Sequence, residues 1–299
     1  YAPLPPRSAF PGPDRRPAFV ARTAELARLF ASLDLARAGA GQMIFIAGEA
    51  GSGKTALVDE FMRQALLAHG DVLAAGGLCS AHTGSGEPYL PVREIVQLLT
   101  GDIEAKRASG AITAEHARRL WDNLPDTLKA LIEHSPELIG TLVSTDTLAL
   151  RAEVFASTAS LWQTRLSQLA QRPSLVLAPP AALHQPFTAL LKALSQTRPL
   201  ILVLDDLHWA DEATLNWLSY VGRHLDQTRC LIVGAYRTTD VALGQADQRH
   251  PLAAVVNELQ RHLGDIRLEL DRAPGRAFID ALLDAEPNTL SIEFRDTLY

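Results

Sequence analysis

Apolar residues along this chain follow two rhythms. Four short, mostly apolar runs, at 42–47, 71–76, 200–204 and 230–236, read as strands, the run at 200–204 as one buried on both faces and that at 230–236 as the next buried strand. A fifth stretch, 266–270, alternates apolar and polar positions, as an edge or half-buried strand does. Between these runs the apolar positions recur at helical spacing. Leu26, Leu29, Phe30 and Leu33 form one stripe over 24–38, with Thr23 placed to cap its start and Gly39-Ala40-Gly41 to end it. The same spacing predicts helices at 56–67, 90–99, 117–124, 128–134, 149–171, 187–195 and 251–263, and two more at 275–284 and 291–298. Asp211 is placed to cap another, which carries Leu215, Leu218, Val221 and Leu225 on one side. A short strand at 174–178 is cut off by Pro179-Pro180. Strands alternating with helices predict an α/β fold: a mostly parallel five-stranded sheet with helices on both faces. A helical insertion at about 102–196 interrupts it between the second and third strands.

Ligands of such sheets bind beyond the carboxyl ends of the strands. The loop at the end of the first strand is Gly48-Glu49-Ala50-Gly51-Ser52-Gly53-Lys54-Thr55, followed by Ala56. It fits the phosphate-cradling pattern G-x-x-x-x-G-K-[ST]. Gly48, Gly51 and Gly53 permit backbone angles that let successive N–H groups point inward at an anion. Lys54 adds a mobile positive charge for the outer phosphates, and the Thr55 hydroxyl suits a magnesium ligand. The following helix aims its positive end at the same anion. A glycine-rich turn without a ligand is the plain alternative. The strand before the loop and the helix after it supply the context that the phosphate reading requires.

The run 200–204 ends in Asp205-Asp206. Asp205 would hold magnesium opposite Thr55, and Asp206 would orient or polarise an attacking water. The alternative is that this acidic pair merely caps the helix beginning near 211. Arg237, the first charge after 230–236, is either a γ-phosphate contact or a surface arginine. His208 and Trp209 read as packing at the strand end. His82, Glu87 and Tyr89, in a glycine-rich loop, read as facing solvent. Trp121 and Trp162 read as core or interface residues.

Composition narrows the class. The 299 residues suit one large domain or two small ones. The balance of 34 acidic against 28 basic residues gives a net charge of −6, which argues against a nucleic-acid surface. No apolar run approaches the length of a membrane span. Cys79 and Cys230 stand far apart and in no metal-ligand spacing, which reads as two buried thiols in a cytoplasmic protein. Six prolines within residues 1–17 read as a linker, leaving 18–299 as the domain. The chain opens on Tyr1 and stops at Tyr299. It reads as a fragment of a longer polypeptide.

Three ordered stretches carry a family resemblance. Leu202-Val-Leu-Asp-Asp-Leu-His-Trp-Ala-Asp-Glu212 resembles the Walker B segment of the AAA-like module in STAND signal-transduction ATPases. These include the large ATP-binding LuxR-type regulators and activators with a bacterial transcriptional activation domain. Phe19-Val20-Ala21-Arg22-Thr23-Ala24-Glu25-Leu26 resembles their opening Phe-Val-Gly-Arg-Glu-x-Glu-Leu box, with Ala21 and Thr23 departing from it. Ile232-Val-Gly-Ala-Tyr-Arg237 resembles a strand whose final arginine senses the terminal phosphate. The resemblance covers about 19–270. It implies a P-loop NTPase fold, ATP with Mg²⁺, and adenine contacts from Phe19, Val20 and Arg22. It also implies slow hydrolysis, ATP-driven self-association and effector domains elsewhere in the full-length chain. The helical lid would lie beyond Tyr299. Two other functions remain open to the motifs: a small-molecule kinase with an acceptor pocket from 77–196, and a scaffold that binds nucleotide without hydrolysing it.

Overall fold

Five strands pair side by side in parallel, in the order β2-β3-β4-β1-β5. They are β1 (Gln42–Gly48), β2 (Leu73–Leu78), β3 (Leu200–Asp205), β4 (Cys230–Arg237) and β5 (Arg267–Glu269). The computed structural model describes residues 22–80, 88–154, 159–170, 180–243 and 250–270, with 280, 283, 284 and 294. Several sequence expectations lie outside these residues: the proline-rich start, the contacts of Phe19 and Val20, the readings of His82 and Glu87, the strand at 174–178, and most of the two helices expected after 274.

Each central strand is buried on both sides because alternate residues feed two separate cores. Ile44, Ile46, Ile201, Val203, Leu231 and Val233 point to one face. There they meet α1 (Thr23–Arg37) and α2 (Lys54–Ala68) through Leu29, Leu33, Leu57 and Phe61. Phe30 and Phe61 meet edge to face at 5.2 Å and tie the two helices together. Met43, Phe45, Leu73, Leu202, Leu204 and Ile232 point the other way. That face is covered by α3 (Leu90–Leu99), α9 (His184–Thr197), α10 (Glu212–Gly222) and α12 (Pro251–Leu263). The buried Phe187 and Trp217 rings lock α9 to α10 at 4.9 Å.

The insertion between β2 and β3 is helical. It adds α4 (Glu104–Ala108), α5 (Ala114–Asp122), α6 (Leu124–His134), α7 (Thr145–Glu153) and α8 (Ala159–Ala170). It extends the second core rather than making its own, since Leu120, Leu128, Leu131, Leu148 and Leu166 join the same cluster as the sheet. Trp121 and Trp162 pack against it, half-buried.

Three expectations need correcting. The helix expected over 149–171 is two helices, because α7 ends at Glu153 with Val154 as its C-cap. Thr23 is the first helical residue of α1, and Arg22 occupies the cap position without a side-chain cap. Tyr89 does not face solvent. It is 3 % exposed, adopts a left-handed backbone (φ 65°) ahead of α3, and its hydroxyl lies 3.1 Å from His184 Nε2. A tyrosine that buries its ring needs such a partner for its hydroxyl. Asp211 caps α10 as expected, accepting the Thr214 N–H at 2.9 Å.

Helix α3 lies so close to β2 that a side chain at Gly77 would run into the Pro91 carbonyl. Backbone cannot swing aside as a flexible side chain does, so Gly77→Ala must push the helix off the sheet. It should lower stability by about 1–3 kcal/mol in urea unfolding. An unchanged midpoint would mean that the contact has slack.

Candidate functional site

The carboxyl ends of β1, β4 and β3 lie on one edge of the sheet, with β3 stopping two residues short of the other two, and the residues read as chemical lie along that edge. Parallel register pairs Gly48 with Arg237, and Leu204 with Gly234. The 48–55 loop leaves β1 and turns into α2 through Gly51 (φ 76°) and Gly53 (φ 90°), left-handed angles that glycine adopts without strain. Gly48 has no room for a side chain, since a Cβ would sit 2.6 Å from Ser52 Oγ and 3.1 Å from Leu270. Helix α2 starts with no side-chain cap and no acid in its first turn. Its positive end is therefore not satisfied by a carboxylate from its own first turn.

Lys54 is 7 % exposed, and its Nζ donates to the carbonyls of Gly48 (2.9 Å) and Glu49 (2.8 Å). Burial, then the Arg237 charge, holds its pKa below the ordinary value, against Asp206, Asp205 and Glu49. The loop is pinned from two sides. Arg22 donates to Ser52 O at 3.3 Å while pairing with Glu25 at 2.7 Å. The Glu49 carboxylate accepts from the Thr239 hydroxyl. Ala50 and Ala56 are exposed. Ser52 Oγ is buried without a hydrogen-bond partner among the described residues. Phe19 and Val20 lie outside those residues.

The acids of β3 face the loop. Thr55 Oγ1 donates to Asp205 Oδ2 at 3.3 Å, and Asp205 Oδ1 accepts the Asp206 N–H at 2.9 Å. Burial is the largest influence on Asp205 and raises its pKa, against the hydrogen bonds from the Asp206 N–H and Thr55 and with the charges of Asp206 and Asp59. Asp206 is not a helix cap for α10. It sits in a left-handed conformation (φ 54°, ψ 42°), strained for a residue with a side chain though more accessible to Asp than to most. What holds it is the next residue. Leu207 is fully buried in the space left open at Gly234, where a Cβ would lie 2.5 Å from Leu207 Cδ1. Arg237 is half-exposed and lies 3.9 Å from Asp240. Lys54, Thr55, Asp205, Asp206 and Arg237 thus occupy one end of the sheet, and Arg22 reaches the loop from outside.

The loop and the acids end strands that are not adjacent, because β4 runs between β1 and β3. Reading by motif missed Thr239 and Asp240, at the start of α11 (Thr238–Leu243). Their only sequence signal is a polar Thr-Thr-Asp directly after a buried strand.

The residues suit a metal-bound polyphosphate. A hydroxyl and a desolvated carboxylate are hard oxygen donors, as magnesium prefers. No cluster of three or more His, Cys, Asp or Glu able to hold a metal occurs among the described residues. Thr55 and Asp205 would therefore share the ion with phosphate oxygens. The uncapped α2 start, the orphaned Ser52 hydroxyl and the Lys54–Arg237 pair of cations suit the anion.

The sequence matches the family model of the AAA ATPase domain over residues 18–233. The chain belongs to the AAA ATPase domain family. No curated protein matches the sequence. The AAA ATPase assignment supports nucleotide binding and ATPase activity in general, and the fold is that of a P-loop NTPase. No helix among the described residues is long and apolar enough to cross a membrane.

The AAA ATPase core buries both of its thiols, free Cys79 and Cys230. Burial pushes each from an ordinary 9.0 up to about 12, and at Cys79 the nearby Asp211, Asp205 and Asp206 add to it. Between those values the native state holds protons that the unfolded chain releases, so these thiols make stability fall as pH rises above 9.0. At pH 8 a thiol reagent should label neither cysteine until urea unfolds the protein. Labelling of either in the native state would contradict their burial.

Proposed function

We propose that this domain is an ATP-binding and ATP-hydrolysing switch of the STAND type, serving a larger signalling or transcriptional regulator in the cytoplasm. The observation that carries the reading is the meeting of Thr55 with Asp205 across the end of β4, with Lys54 and Arg237 on the same edge. A kinase would need an acceptor pocket opening on that edge. Two cavities among the described residues, one lined by His250, Asn257 and Arg261 and the other by Ile132, Pro136 and Arg165, include no residue of the loop.

The chain's own residues divide the work. Lys54 exchanges its loop carbonyls for the outer phosphates, and the loop N–H groups and the α2 start hold the remaining charge. Thr55 and Asp205 hold magnesium, which when bound supplies charge neutralisation at the phosphates. Asp206 orients a water and accepts its proton as the water oxygen bonds to the γ-phosphorus. The bond to the β–γ bridging oxygen breaks, leaving ADP and inorganic phosphate. Arg237 turns from Asp240 to the γ-phosphate and reports its presence. Arg22 anchors the loop at Ser52, with adenine contacts falling to Phe19 and Val20. Self-association and effector output follow from the ATP-bound state.

Two variants test this. Lys54→Ala should abolish ATP binding in calorimetry, and unchanged affinity would put the site elsewhere. Asp206→Asn should keep nucleotide affinity while phosphate release falls by about a hundredfold. Equal release from both proteins would favour a non-hydrolysing scaffold, and phosphate found on a small molecule rather than in solution would favour a kinase.

A further inference from the structure

The turn after β3 contains a buried group that the proposed reaction leaves unused. The His208 side chain is fully buried. Neither of its ring nitrogens has a hydrogen-bond partner among the described residues. Buried polar atoms without partners are rare and costly, and concentrate where a structure has a second arrangement or a function. The surroundings of this one are specific. Nε2 lies 3.5 Å from Asp240 Oδ2 and 3.8 Å from Asp206 Oδ1, just beyond good hydrogen-bond reach of both.

The ring offers one donor to these two acceptors. Burial, the largest influence, holds its pKa below the ordinary value despite the two carboxylates, so the imidazole is neutral and carries a single N–H. Both acids face Nε2, which places the proton there. The backbone beneath the ring is fixed. Leu207 is buried over Gly234, and His250 Nε2 donates to the His208 carbonyl at 3.1 Å. His250 can donate because its Nδ1 accepts the Leu252 N–H. A sub-ångström shift of either acid therefore decides which one takes the Nε2 proton. Asp240 is also the acid beside Arg237, at 3.9 Å.

We propose that His208 is a positioning residue that orients Asp206 and couples it, through Asp240, to Arg237. While Arg237 lies 3.9 Å from Asp240, it weakens that carboxylate as an acceptor, and Nε2–H is shared between Asp240 at 3.5 Å and Asp206 at 3.8 Å. When Arg237 turns to an anion, Asp240 competes for the same proton and the Asp206 carboxylate is freed to accept one from water. The left-handed backbone of Asp206 suits this, because the turn sets its carboxylate 3.8 Å from Nε2. This coupling rests on the proposed hydrolysis at the same site.

The test separates the two readings. His208→Phe keeps the ring volume without a donor, and should lower kcat for ATP roughly tenfold or more while KM changes less than about threefold. His208→Gln, which returns an amide donor near Nε2, should recover most of the loss. Equal kcat in His208→Phe and the parent would overturn the proposal, as would a Gln variant no better than Phe. The ¹⁵N resonance of His208 Nε2 gives a readout independent of turnover. It should move in both Asp206→Asn and Asp240→Asn. A resonance unmoved by either variant overturns the coupling, whether or not the parent hydrolyses ATP. A parent without turnover, but with both shifts present, would refute hydrolysis and leave the coupling standing.

Discussion

The parallel register of β1, β4 and β3, which gathers their carboxyl ends on one edge of the sheet, is the constraint on which everything else depends. Strands in a sheet lie about 4.8 Å apart, so β1 and β3 stand roughly 10 Å from each other with β4 between them. Groups on their ends can meet only if both lean over the end of β4. The register puts Gly48 level with Arg237, and Asp205 follows the Leu204–Gly234 pair, so β3 stops short and the loop must reach back to its end. Thr55, one residue into α2, and Asp205, the last residue of β3, then close the gap to 3.3 Å. A register slip of one residue on any of the three strands would turn these side chains to the other face. The double-sided burial of β1, β3 and β4 makes such a slip expensive, so the cores that stabilise the fold also hold the site in alignment.

Electrostatics give that alignment a purpose. Burial disfavours the charge of both Lys54 and Asp205, and the ammonium borrows two carbonyls from its own loop. Arg237 adds a second positive charge nearby. Charges held in this way are ones that an anion with a divalent cation relieves on both sides at once. The contacts that pin the loop come from elements distant in sequence: Arg22 ahead of α1, and Thr239 after β4.

Much of this was legible in the sequence, and the physics explains which parts. Apolar runs long enough to be buried on both faces gave the central strands, and the loop pattern, the paired acids and Arg237 marked their carboxyl ends. Asp211 was readable as a cap because the requirement is local. Strand order was not readable, since nothing in a parallel strand names its neighbour, and β4 was found to separate the two halves of the site. The break between α7 and α8 was hidden because apolar periodicity runs on through 154. Tyr89 looked exposed in a glycine-rich loop, and tertiary packing buries its ring in the second core, with His184 beside its hydroxyl. Asp240 and Thr239 carry no motif, and owe their places to the turn that follows β4. The buried packing expected of His208 is present, but its position between two carboxylates is a property of three dimensions.

The central claim is that Thr55 and Asp205 form one metal-binding pair across the end of β4. It is tested most directly by calorimetric titration with ATP, with and without Mg²⁺, in Thr55→Val, Asp205→Asn and the double variant. One shared ion predicts that either substitution removes the magnesium dependence and that the double variant loses nothing more. Retained magnesium dependence in either single variant, or losses that simply add, would show that the two side chains do not serve the same ion.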